Sequence, residues 1–330
     1  MFLSNEMDEK MNKELDRIKW IDIAKGIGII SVLVGHACSA LKPIIYAFHM
    51  PLFFVLTGYT IKKIDKKDII QATIIDLKRL IAPCVIARLI ILFGNCILKE
   101  ESIYSELQKM ISALLWGINS GDFWGIPVSS IGRMWFLPAL FWTKFFYRLL
   151  ALYFDEKKRL YILIPLSFVS MFLGSSGIVL PQNIDMIFIC MLFVEIGSYL
   201  KRINLQDIKW WVMIALFAVW TFFSMSQGIW ISMNMRQYPG YGMCIVVAIA
   251  AIICVFLFCQ SIDNSVFSIP FLFYGKYSLV LLIIESVAPF FYSAKTIGQN
   301  VLFMIVKLLL VIVYALFRKV ILNRDWLKKS

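Results

Sequence analysis

Two histidines occur in the chain, His36 and His49, and both lie near its start. A neutral imidazole titrates near physiological pH and can take a proton from a hydroxyl, so either ring is a candidate general base. Lys25 stands eleven residues before His36 in the apolar run WIDIAKGIGIISVLVGHA. On an α-helix eleven residues make three turns plus roughly 20° and rise about 16 Å, so both side chains project from one face. Asp22 falls on nearly the same face, one turn below Lys25. The first helix therefore carries a charged pair at one end and an imidazole well above it. A lone buried histidine is more often a satisfied core residue than a catalyst. His49 suits pinning a loop as well as it suits positioning a substrate.

Other ionisable groups interrupt apolar runs: Arg88, Lys144, Glu195, Glu285 and Lys307. Such groups are costly in a membrane and face the bundle interior or a wet cavity. Arg88 lies deep enough to require a partner. Lys144 and Lys307 either snorkel to the surface or pair with a neighbour. Glu195 reads as the counter-ion of a basic group. The GIG tripeptide at 26–28 follows no strand, so it reads as a helix-packing surface rather than a nucleotide fingerprint.

The elements that must hold these groups follow from composition. Of 330 residues, 60% are hydrophobic and 16% charged, with mean hydropathy +0.79. Soluble domains are about half apolar and a quarter charged, so a disordered chain and a soluble two-domain enzyme are both excluded. A membrane-spanning helix needs about 20 apolar residues. Ten such runs are expected, at 21–40, 44–61, 80–98, 134–152, 160–175, 184–200, 209–228, 241–259, 270–290 and 297–317. The fold class is thus all-α, a polytopic bundle. With the N-terminus in the cytosol, the inside segments carry 21 lysines and arginines and the outside loops 6. That imbalance predicts both termini inside. It also places both histidines in the outer half of the bilayer. Residues 1–19 and 319–330 read as cytosolic tails around a membrane domain at 20–318, with no cleavable signal peptide. The net charge of +12 sits in short loops, so it signals topology and not nucleic acid. Seven cysteines form no CxxC pair and no Cys/His cluster, so no disulfide framework and no metal site is expected. Within the largest outside loop, ESIYSELQKMISALLWGI has the spacing of an amphipathic helix lying on the membrane or over a site.

The run WIDIAKGIGIISVLVGHA, followed by FHMPLFFVLTGY, resembles the opening of the acyltransferase-3 family of integral membrane acyltransferases, and is closer to its fucose-4-O-acetylase-like branch. KRLIAP (78–83), MWFLPALF (134–141) and GKYSLVLLI (275–283) resemble further signatures of that family. Together they spread the likeness over most of the chain. The resemblance implies a ten-helix O-acyltransferase, most commonly an O-acetyltransferase. Such an enzyme moves an acyl group from cytosolic acyl-CoA to a hydroxyl of a glycan beyond the far side of a bacterial plasma membrane. The family hallmark is a basic residue, usually arginine, then ten residues, then histidine. Lys25 and His36 fill those places, with lysine where arginine is usual, which keeps the charge and loses the bidentate fork. Glu285 stands where many members carry histidine.

The resemblance implies site roles. His36 acts as base or as an acylated nucleophile, and the sequence leaves these open. Lys25, Lys78, Arg79 and Arg88 bind acetyl-CoA, and His49, Trp135, Phe136 and Glu285 meet the glycan. Arg133 and Arg236 read as outward cations attracting an anionic glycan. For Lys78 and Arg79 the topological signal alone is the competing reading, as the interfacial aromatic belt is for Trp135 and Phe136. The rival functions are a transporter or flippase, against which no inverted repeat or pair of broken helices stands out, and a non-catalytic sensor.

Overall fold

Backbone polar groups within a bilayer must be satisfied internally, which for these runs means helices, and the computed structural model is 80% helical. It describes residues 18–62, 65–118, 121–123, 126–292 and 296–327. Most of the expected 1–19 tail and residues 328–330 lie outside that set. The chain starts with α1 (Lys19–Ala37), the short α2 (Lys42–Tyr46) and α3 (His49–Thr60). Next come α4 (Ile69–Asp76), α5 (Ala82–Leu98) and α6 (Ile103–Trp116). A two-stranded antiparallel ribbon pairs β1 (Gly121–Phe123) with β2 (Ile126–Val128). There follow α7 (Phe136–Tyr153), α8 (Glu156–Ser175), α9 (Ile187–Leu200), α10 (Trp210–Ser226) and α11 (Gly242–Ser261). The last are α12 (Ser268–Lys276), α13 (Ser278–Phe291) and α14 (Ile297–Leu327), so helix continues into the stretch expected as a tail from 319.

Each of the ten expected spans is helical. Among the described residues, seven helices are long and apolar enough to cross a membrane, or eight if α12 and α13 form one span. Lys144 and Arg148 dilute the apolar character of α7, and α10 is a shorter apolar helix. The expected single span at 270–290 is broken, with α12 and α13 meeting at 72°. The expected span at 80–98 instead belongs to a helical stretch running from Lys66 to Leu98.

Two crossings set the frame. A Cβ on Gly26 would lie 1.9 Å from the Phe271 carbonyl oxygen, and one on Gly275 1.9 Å from that of Asp22, so α1 and α12 touch backbone to backbone. Gly58 and Gly197 do the same for α3 and α9, at 1.8 Å from Val194 O and 2.0 Å from Val55 O. Small residues allow such close approach between helices in lipid, which is the role expected of the GIG run.

The buried charges pair. Asp76 binds Lys144 and Arg148, while Glu195 binds Arg159 through Nε at 2.7 Å and the Tyr147 hydroxyl at 2.8 Å. Lys144 and Lys307 thus pair rather than snorkel. The outward role expected of Arg236 gives way to a buried one. Its Nε lies 3.0 Å from Asp185 and one of its terminal nitrogens donates to Asn183 Oδ1 at 3.0 Å. Buried Asp185 requires a counter-ion, and the segment after α10 folds back through a Ser232–Gln237 bridge to supply it. The expected amphipathic helix is α6, and it presents its apolar stripe, Ile103, Leu107, Ile111 and Leu115, outward. Its charged residue Glu106 turns inward, accepting from Asn95 at 2.9 Å and Lys109 at 2.7 Å. Burial pushes the Glu106 carboxyl up, but those two hydrogen bonds together with the nearby Lys109 and Arg88 charges hold it below the usual carboxylate range. A helix with its apolar face away from the protein fits a lipid surroundings.

Candidate active site

His36 comes from the last turn of α1, where the chain leaves the helix through a 3-10 turn, Ser39–Leu41. The short α2 doubles back and delivers His49 at the first position of α3. The His49 ring is buried, and its Nδ1 lies 2.9 Å from the Ile45 carbonyl oxygen. A carbonyl only accepts, so Nδ1 carries the proton and Nε2 of a neutral ring is left as an acceptor. Tyr46 packs on the same ring at 4.7 Å between centroids. Among the described residues no hydrogen bond engages the His36 ring, which is accessible from two cavities.

The larger cavity measures about 880 Å³. His36, His49, Lys78, Arg79, Trp135 and Phe136 all line it, so one space joins six residues nominated from sequence. Lys42 and the 230–237 segment line the same cavity as Lys78 and Arg79. Trp135 and Phe136 are buried, and Phe136 packs against Phe53 and Phe54 at 5.5 and 5.2 Å. They give the cavity an aromatic wall.

Lys78 and Arg79 sit in a π-helical turn, Leu77–Ile81, between α4 and α5. KRLIAP is therefore an internal turn of a long helix. A π-turn shifts side-chain direction within a helix and is common at functional sites. Asp76, just before the turn, is tied to α7 by Lys144 and Arg148.

A second cavity of about 220 Å³ shares two lining residues with the first, His36 and Arg133. Arg133 lies in the 3-10 turn Gly132–Trp135. It was expected as an outward attractor, and it instead stands beside the histidine. A terminal nitrogen of Arg133 donates to the Glu285 carbonyl oxygen at 2.9 Å, and its Nε is 3.0 Å from Glu285 Oε1. Lys307 Nζ donates to Glu285 Oε2 at 2.6 Å. Glu285 is fully buried between the two cations. Glu285 and His36 line the same smaller cavity. The cationic partners of Glu285 were not legible, since no local pattern links residue 285 to 133.

Lys25 and Arg88 line neither cavity. Lys25 Nζ lies 3.3 Å from Asp22 Oδ1, the pairing that helical spacing predicts. Arg88 donates to the Ser130 carbonyl at 3.2 Å and lies 5.6 Å from the Phe290 ring centroid. It thus has a partner, and it is not grouped with Lys78 and Arg79.

No curated protein and no solved structure matches the chain. A family profile described as an acyltransferase domain matches residues 18–323, nearly its whole length. Taken with the helical bundle and its histidine-lined cavity, that match means that the protein belongs to the acyltransferase-3 family and is a multi-pass membrane acyltransferase.

Proposed function

We propose that the protein is an O-acetyltransferase that takes acetyl from cytosolic acetyl-CoA and places it on a hydroxyl of a cell-surface or exported glycan. The observation that carries this reading is the single cavity joining His36 to Lys78 and Arg79. Lys78 and Arg79 hold the anionic end of the donor, and the apolar wall of Ile29, Val32 and Phe53 takes its acyl-bearing arm. His36 removes the hydroxyl proton as the hydroxyl oxygen attacks the thioester carbon. Arg133 stabilises the charge that develops on the carbonyl oxygen. As the carbon–sulfur bond breaks, His36 returns its proton to the departing sulfur. His49, held by Ile45, offers Nε2 to the same large cavity. Purified protein in lipid nanodiscs, given acetyl-CoA and glycan extracts, is expected to release thiol and deposit O-acetyl groups visible by NMR. Glycan movement across proteoliposomes without acetyl-CoA consumption would replace this reading with a transporter.

The reading carries ten crossings of a bacterial plasma membrane with both termini inside, the orientation that the imbalance of basic residues supports. Cysteine introduced at Lys109 in a cysteine-free background is expected to label from outside intact cells, and at Lys201 only after permeabilisation. The reverse pattern would invert the topology.

For Lys25 two roles compete: binding the donor, or neutralising buried Asp22. Its absence from both cavity walls favours neutralisation. The doubly substituted Asp22→Asn, Lys25→Ala protein is expected to keep the wild-type KM for acetyl-CoA. A charge-assisted hydrogen bond contributes about 1.5–3 kcal/mol. If Lys25 bound the donor, the double variant would therefore show a KM raised on the order of tenfold or more.

A further inference from the structure

His36 and Arg133 stand between two cavities of different character. The larger is walled mainly by apolar and aromatic side chains, among them Ile29, Val32, Met50, Phe53 and Phe136. The smaller gathers Glu285, Asn300 and Lys307 with the shared His36 and Arg133, and Leu33, Ala37, Pro289 and Met304 complete its wall beside two aromatic rings. Its volume of about 220 Å³ equals roughly seven waters at about 30 Å³ each, the scale of one sugar ring. One side is closed by Tyr292 and Phe303, whose rings stack at 3.7 Å and 11°. An aromatic face beside converging donors and acceptors suits a ring that is apolar on its faces and hydroxylated on its rim.

The wall also carries a fixed ion-pair cluster: Arg133 Nε lies 3.0 Å from Oε1 of the fully buried Glu285, and Lys307 donates to Oε2. That cluster sets the Arg133 and Lys307 side chains on the cavity wall.

We infer that the small cavity is the acceptor subsite: it takes one hydroxyl-rich ring of the glycan, while the large cavity takes the acyl donor. This rests on the acetyl-transfer reading above. It assigns the two substrates to opposite sides of His36. The acceptor hydroxyl reaches the imidazole from the Glu285–Lys307 side and the thioester carbon reaches it from the Phe53 side. The new carbon–oxygen bond then forms across the shared wall. Asn300 and Phe303 become specificity-determining residues, because they touch the ring and not the reacting atoms.

The test uses the full-length protein in nanodiscs with methyl hexopyranosides as acceptor probes. Asn300→Phe fills the cavity, and Asn300→Leu keeps its volume while removing a polar contact. Binding is read without donor, by saturation-transfer NMR of the glycoside. Catalysis is read as separate KM values for glycoside and acetyl-CoA. The expected result is a glycoside KM raised at least tenfold by Asn300→Phe and several-fold by Asn300→Leu. The KM for acetyl-CoA should stay within twofold of wild type, and the saturation-transfer signal should weaken in parallel. Unchanged glycoside KM in folded variants would overturn the assignment and leave a water-filled chamber. So would a joint shift of both KM values. Glycoside binding lost in Asn300→Phe, with no thiol release by wild type, would keep the sugar site and refute acetyl transfer. Thiol release unaffected by either substitution would do the reverse.

Discussion

His36→Ala is expected to abolish acyl transfer while the protein still inserts and folds. Loss of a positioned general base lowers a rate by about 10²–10⁴. The ring makes no hydrogen bond among the described residues and lies on two cavity surfaces, so its removal leaves no buried partner unsatisfied. Stability and catalysis therefore separate at this position. Thiol release from acetyl-CoA with a glycan acceptor measures the first, and thermal melting in detergent the second. A variant that melts like wild type and transfers at near-normal rate would remove His36 from the chemistry. His49→Ala is a different case. Its Nδ1 is bound to Ile45 and its ring packs on Tyr46, so that substitution also disturbs the turn between α1 and α3.

Glu285→Ala is expected to cost both stability and activity. The carboxylate is fully buried and separates Arg133 from Lys307. Removing one partner of a buried ion pair costs about 3–5 kcal/mol, because the remaining charge is left uncompensated. Here two cations remain, and they repel. An apparent melting temperature lower by on the order of 10 °C is expected, taking the about 2–4 °C per kcal/mol of chains of about 150–250 residues. Adding Lys307→Met should recover much of the stability, since it removes one of the uncompensated charges. It should not recover activity, because Arg133 still lacks the carboxylate that fixes its side chain beside His36. Restored stability together with restored transfer would show that Glu285 balances charge and does not aim Arg133. A wild-type melting curve for Glu285→Ala alone would deny that the three groups form a unit.

Much of this protein was legible in the chain because the signals are local. A run of about 20 apolar residues becomes a helix in lipid whatever surrounds it, and all ten expected segments are helical. The helical period alone put Asp22 and Lys25 in contact, and they lie 3.3 Å apart. Glycine at 26 and 28 signalled close packing without revealing the partner. The resemblance nominated residues at 36, 49, 78, 79, 135 and 136, and these share one cavity. Tertiary structure decided the rest, because pairing among buried charges depends on which helix becomes whose neighbour. Arg133 read as an outward cation, and the Glu285 carboxylate, 152 residues away, holds it half-buried on the cavity wall. Arg236 likewise read as outward, until the fold placed Asp185 beside it. Lys25 shares a helix face with His36, yet an axial rise of about 16 Å separates two environments, and only the later one opens on the cavities. The break between α12 and α13 leaves no proline at the bend, so neither composition nor periodicity announces it. Periodicity describes one helix at a time, whereas a cavity, a buried ion pair and a shared wall are properties of several helices at once.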